Sequence, residues 1–183
     1  SNSYSEELKF EASSIEIVDK DKIIIAEDGV KILSGDEIVI LADQMRYDKE
    51  KKFLEASGNI LITNQIENIE IISDKITYDK NIEKIVSSGN VGIKFEKDYT
   101  LKTKEIIYLK DSEEILINDI SKIKDNLGNE IEFEQLNYNA IDKLIKGKKV
   151  KLLDLEKNFY NFDNAIVDFK KNQIIADNAS IDF

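Results

Sequence analysis

Thirty-seven of the 183 residues are carboxylates and seven are tyrosines, and these side chains have the most chemistry to offer. Paired carboxylates can hydrolyse glycosidic bonds, and oxygen-rich turns can hold calcium. The spacing favours neither use. Most acids stand in polar turns such as Asp48-Lys49-Glu50-Lys51, and no Asp-x-Asp-x-Asp-Gly loop occurs, so no metal site is assigned. Histidine and cysteine are absent, along with tryptophan and proline. Without them there is no thiolate nucleophile, no Ser–His triad and no His- or Cys-ligated zinc or haem. No catalytic residue and no cofactor is expected. A net charge of −11 also argues against a nucleic-acid partner, which needs a basic face for its phosphates.

The elements that must position these residues repeat along the chain. Tyr47-Asp48-Lys49 recurs as Tyr78-Asp79-Lys80, and Ser57-Gly58-Asn59 as Ser88-Gly89-Asn90, both at an offset of 31. The tyrosine row continues at Tyr108 and Tyr138, with Phe169 after it, and Asp28-Gly29-Val30 stands one unit before Gly58-Asn59-Ile60. About six units of some thirty residues tile the chain, a spacing that marks a repeat architecture. Isoleucine accounts for 31 residues, and alternations such as Ile38, Ile40, Ala42 read as strands. Each unit is therefore a hairpin, and a helix could form only in the first few residues.

Asp43 lies seven residues before Glu50 and Gly58 eight after it, so in a hairpin turning there the two face each other at mid-strand. Asp74 and Gly89 stand in the same relation about Asn81. A mid-strand glycine marks a bulge or bend. Asp43, Gly58, Asn59, Asp74, Gly89 and Asn90 are accordingly read as structural residues of a crease, the aspartates bonding local backbone donors. Weaker copies offer Asn118-Asp119, then Gly147-Lys148 two residues early in a shortened hairpin, then Asp177-Asn178. The expected fold is all-β: two facing antiparallel sheets of creased hairpins with an apolar trough between them.

Ala42-Asp43-x-x-x-Tyr47-Asp48 followed by Ala56-Ser57-Gly58-Asn59-Ile60, and Ser73-Asp74 through Tyr78-Asp79 to Ser87-Ser88-Gly89-Asn90-Val91, resembles the OstA repeat of the lipopolysaccharide-transport proteins. That family comprises LptA, LptC and the N-terminal periplasmic domain of LptD. The match is good over roughly residues 38–97 and degraded elsewhere, as terminal repeats often are. The resemblance implies an open, twisted β-jellyroll in the Gram-negative periplasm. Its trough would hold lipid A acyl chains, and partner jellyrolls, or further copies of the chain, would join it edge to edge. Two strong copies followed by divergent ones favour an LptD N-terminal domain, associated with the outer membrane through a C-terminal barrel, over LptA.

The candidate lining is the inward series Ile38, Ile40, Tyr47, Ile60 and Ile62, with Ile69, Ile71, Tyr78, Val91 and Ile93 in the next unit and Tyr108 and Tyr138 beyond. In any two-sheet fold these positions form core, so most are expected to pack on one another, leaving those near the open side for lipid. Leu41, Leu54 and Leu61 are placed on the opposite face. An alternative is a ligand-free structural β-repeat, and a further one a carbohydrate-active β-helix enzyme. Ser1-Asn2 resembles a protease-cleavage remnant, so residues 1–7 are expected to precede a single domain spanning 8–183. The echo of 163–169 in 177–183 suggests a longer chain.

Overall fold

A computed structural model describes residues 7–177, together with the backbone of 179–182. Residues 1–6, the part of the chain where a helix could form, lie outside this range, as does Asn178. Fifteen strands make up one continuous antiparallel sheet, and no helix occurs among the described residues. In chain order they are β1 (Leu8–Val18), β2 (Ile23–Ser34), β3 (Ile38–Asp48), β4 (Phe53–Asn64), β5 (Ile69–Asp79), β6 (Lys84–Phe95) and β7 (Tyr99–Leu109). Then come β8 (Glu114–Ile117), β9 (Ser121–Lys124), β10 (Glu130–Phe133), β11 (Gln135–Asn139), β12 (Leu144–Leu153), β13 (Phe159–Asp168), β14 (Gln173–Ala176) and β15 (Ala179–Asp182).

The two expected sheets are thus two halves of one sheet folded over on itself. Each pairing from β1/β2 to β6/β7 shifts register near mid-strand: between Leu41 and Gln44 against β4, and between Ser57 and Ile60 against β5. Along β3 the shift changes the inward positions from even to odd while keeping the same face inward, so Ile38, Ile40, Ala42 and then Met45 all face the core. A hydrogen bond proves the folding-over. Ser34 ends β2 and Tyr78 lies at the opposite, turn-side end of β5, yet their hydroxyls are 2.8 Å apart. In a flat sheet of 12-residue strands these ends would stand about 35 Å apart.

Strand starts show the repeat. β2, β4, β6, β8 and β12 begin at residues 23, 53, 84, 114 and 144, steps of 30, 31, 30 and 30. β8 and β9 are one creased strand cut at its bend, and so are β10 and β11: β7 pairs both β8 and β9, and β12 pairs both β10 and β11. The cut falls at Asn118-Asp119-Ile120, where neither Asn118 nor Asp119 takes the left-handed backbone expected of it. Ile and Val rows fill the space between the halves, from Ile32 and Ile38 to Ile145 and Val167.

Candidate functional site

The crease residues meet as a unit. Gly58 (φ +82°) and Asn59 (φ +46°) are both left-handed, as are Gly89 (+80°) and Asn90 (+47°). The Asp43 carboxylate lies over Gly58, where any Cβ would overlap it, and Asp74 lies over Gly89 in the same way. Among the described residues the aspartates bond side-chain amides and not the backbone donors expected. Asp43 Oδ2 accepts from the Asn59 side-chain amide at 2.9 Å, and Asp74 Oδ2 from that of Asn90 at 2.9 Å. An amide can reach across the bend because its own left-handed backbone throws the side chain towards the opposite strand. In the fifth unit the bend is at Lys149 (φ +51°), not at Gly147, and its turn has the same four residues, 140–143, as the others. Gly147 serves another purpose: the fully buried Phe133 ring occupies the space where its Cβ would be.

Of the twelve candidate lining residues, eleven are buried inside the closed part of the fold: Ile38, Ile40, Ile60, Ile62, Ile69, Ile71, Tyr78, Val91, Ile93, Tyr108 and Tyr138. They belong to one buried apolar cluster that spans the fold. Tyr47 is half-buried and stacks on Phe10, with ring centroids 5.3 Å apart. Leu54 also faces the core, fully buried, while Leu41 is exposed.

The tyrosines clamp the two halves together. Tyr78 donates to Glu83 Oε2 (2.5 Å) while Ser34 bonds its oxygen; Tyr108 donates to Glu113 Oε2 (2.5 Å) and accepts from Asn64 Nδ2 (2.9 Å). Tyr138 donates to Glu96 Oε1 (2.6 Å), which Lys143 also reaches at 2.9 Å. Sequence reasoning missed these turn residues, although a signal was present: Lys52, Glu83, Glu113 and Lys143 each follow a tyrosine by five residues. All four close their turns in the left-handed conformation. Burial first, and then the carboxylate bond, holds the Tyr78 and Tyr108 hydroxyls far above the usual phenol range, so they remain donors. Glu83 has Lys80 as an ion-pair partner. Glu113 has no such cation among the described residues, and burial, with Glu37 and Glu67 adding to it, pushes its carboxyl up. No group of three or more acidic side chains among the described residues is arranged to hold a metal.

The trough opens at the two ends. At the C-terminal end, where the cut strands separate the leaves, a cavity of about 520 Å³ is lined by Tyr99, Ile123, Ile131, Leu152, Val167 and Phe169 among others. Tyr99 and Phe169 stack edge-on, centroids 4.9 Å apart, at its inner wall. Two matching loops frame it: Asp125 Oδ1 accepts from the Asn129 backbone at 2.8 Å, and Asp154 Oδ1 from that of Asn158 at 2.8 Å. Between these anchors Leu127 and Leu155 project, 70% and 61% exposed. At the N-terminal end a cavity of about 410 Å³ is lined by Glu7, Leu8, Phe10, Ile24, Tyr47, Lys49, Lys52 and Lys80. Only Tyr47 of the sequence-derived lining reaches either opening. The distal cavity draws on the degraded repeats, where no motif drew attention.

No family model matches this chain, and no curated protein does. Among solved structures it is similar to the crystal structure of LptH, the LptA homologous periplasmic component of the lipopolysaccharide transport device from Pseudomonas aeruginosa. The two have the same fold. They superpose with a TM-score of 0.54 at 18% identity, over 68% of this chain and 92% of that one. The antiparallel jellyroll that the resemblance implied is therefore the architecture of this protein.

Proposed function

We propose that this chain is a periplasmic lipid carrier that shelters the acyl chains of lipopolysaccharide and passes them along a series of jellyrolls. The carrying observation is the apolar cavity at the C-terminal mouth, set in a fold shared with a lipopolysaccharide-transport component. Each CH₂ transferred from water to such a surface contributes about 0.8 kcal/mol, so a few methylenes per chain suffice for useful affinity. At this mouth Asp98, Asp125 and Asp154 repel lipid phosphate, which leaves the hydrocarbon to supply the binding there. No bond is made or broken in this role. Two free edges supply the joints: among the described residues β1 pairs only with β2, and β15 only with β14. An edge strand presents unpaired backbone groups suited to β-augmentation by a partner jellyroll or a second copy.

Within the transport family, the likeness to an LptA homologue supports an LptA-like role, whereas the divergent distal repeats support the LptD N-terminal domain. A photoreactive residue at Ile131 tests the carrier reading. It should crosslink lipopolysaccharide, while the same group at Ile72, exposed on the outer face, should not. Equal labelling at both positions, or none at Ile131, overturns it. The dense packing of the eleven lining residues favours a second reading, a ligand-free scaffold, and absence of crosslinking would leave that standing.

A further inference from the structure

The molecule contains a template for an anion clasp and then repeats its donors without the anion. In the template, Tyr138 and Lys143, five residues apart, converge on one carboxylate oxygen, Glu96 Oε1, at 2.6 and 2.9 Å. The tyrosine supplies a neutral donor and the lysine a charged one, a pairing suited to any anionic oxygen. Tyr47 and Lys52 are the same pair at the same spacing, with Lys52 closing its turn at φ +51° as Lys143 does at +58°. The two intervening units instead place a glutamate at the turn position, and that glutamate accepts from its own tyrosine. At Tyr47 no such acceptor is built in. Its hydroxyl has no hydrogen bond, and Lys49 and Lys52 have no ion pair, among the described residues.

The surroundings select the kind of anion. Tyr47, Lys49 and Lys52 line the N-terminal mouth, whose remaining walls include Leu8, Phe10 and Ile24. Three lysines and one carboxylate, Glu7, line this opening, although the whole chain carries −11. Lys80 is already committed to Glu83, so Lys49 and Lys52 supply the positive charge that faces outwards. The opposite mouth is lined by Asp98, Asp125 and Asp154 and has no lysine in its wall. A cationic rim over an apolar floor matches an anionic headgroup joined to hydrocarbon. A bare anion would leave the floor unused, and a neutral lipid would leave the rim unused.

We propose that Tyr47, Lys52 and Lys49 bind the anionic headgroup of a lipid whose hydrocarbon lies on Phe10 and Ile24. This deepens the carrier reading by giving the trough a receiving end, but it rests on the clasp geometry and can fail separately.

Isothermal titration of the full chain with monomeric dodecyl phosphate, dodecyl maltoside and inorganic phosphate tests it. Dodecyl phosphate should bind at least tenfold more tightly than either of the others, less so at high salt. Tyr47→Phe and Lys52→Asn should each weaken it about tenfold, the worth of one charge-assisted hydrogen bond at its lower limit. Asparagine is chosen because it tolerates the left-handed turn position. Lys143→Asn, which breaks the occupied clasp, should leave dodecyl phosphate affinity unchanged, and Glu7→Gln should raise it.

Dodecyl maltoside binding as well as dodecyl phosphate overturns the proposal, as does inorganic phosphate doing so. Wild-type affinity in folded Tyr47→Phe and Lys52→Asn overturns it too. Crosslinking at Ile131 is a separate readout: its loss with dodecyl phosphate binding intact sinks the carrier reading alone, and the converse sinks only the clasp.

Discussion

Gly147→Ala adds one methyl group at a strand position with an ordinary backbone, so its effect is steric alone. Gly147 pairs with Leu136 and Ala165 in the middle of the sheet, and the Phe133 ring lies where the new Cβ must go. Phe133 is fully buried at the end of β10, so the ring cannot swing out to solvent. Overpacking of this kind costs about 1–3 kcal/mol, and an immovable ring puts this case in the upper half, about 2–3 kcal/mol. In a chain of this size the midpoint of thermal unfolding should fall by about 2–4 °C for each kcal/mol.

The decisive measurement is a double-mutant cycle by urea denaturation. Phe133→Ala alone should cost about 3–5 kcal/mol. In that background Gly147→Ala should become stabilising by about 0.4–1 kcal/mol, because the space is vacant and alanine restricts the unfolded chain. The coupling is then roughly 3 kcal/mol, far outside the additivity expected of independent sites. If Gly147→Ala costs the same in both backgrounds, the glycine is not there to admit the ring, and the reasoning fails.

Three further outcomes follow from other parts of the molecule. Gly58→Ala should destabilise by at least about 1–2 kcal/mol from its left-handed backbone alone, and Asp43→Ala in the same chain should recover only the part due to overlap; full recovery in a urea melt would refute a backbone cost. Tyr108→Phe should lower stability by about 1–3 kcal/mol, because Asn64 and Glu113 lose a buried partner; an unchanged melting midpoint would remove the clamp from the account. Glu113 has its folded-state pKa raised above the ordinary 4.5, so the folded state binds more protons than the unfolded one and stability falls as pH rises through and above that value. Thermal melts from pH 4 to 8 should show a shallower decline in Glu113→Gln than in the wild type, and parallel curves would assign the slope elsewhere.

The repeat made the fold readable, since its two carriers obey local rules. Gly58-Asn59 and Gly89-Asn90 are short-range signals of a bend, and alternating isoleucines set the inward face. Bends without glycine were harder to see. Lys149 takes the left-handed conformation with no compositional sign of it, and Gly147 two residues earlier was the natural misreading, its real cause being a ring 14 residues away in sequence. Leu54 faces the core, and not the opposite face expected of it, because the four-residue turn 49–52 sets it across from the inward-facing Tyr47.

The lining was legible as apolar but not as open or closed. Ile71 and Ile93 are as apolar as Ile123 and Ile131, yet the first pair is core and the second lines a cavity, because the strands are cut at 118–120 and 134. The C-terminal opening therefore arose where the motifs had decayed. The Tyr-to-turn pairing at a spacing of five was present in the sequence, but only the folded-over geometry gives those residues a reason to be together.

The cut strands give the barrel-like sheet two ends of different stiffness. From β1 to β7 every strand crosses the bend unbroken, so opening that end would require flexing seven backbones at once. Beyond β7 the next two strands do not cross, and among the described residues only β12 and β13 tie the upper leaf to the lower. The N-terminal end is then a socket of set width, and the C-terminal end a jaw hinged along one side. On the proposed carrier role, a jaw would close on cargoes that differ in the number and length of their tails without any change of sequence, while the socket would admit only what already fits.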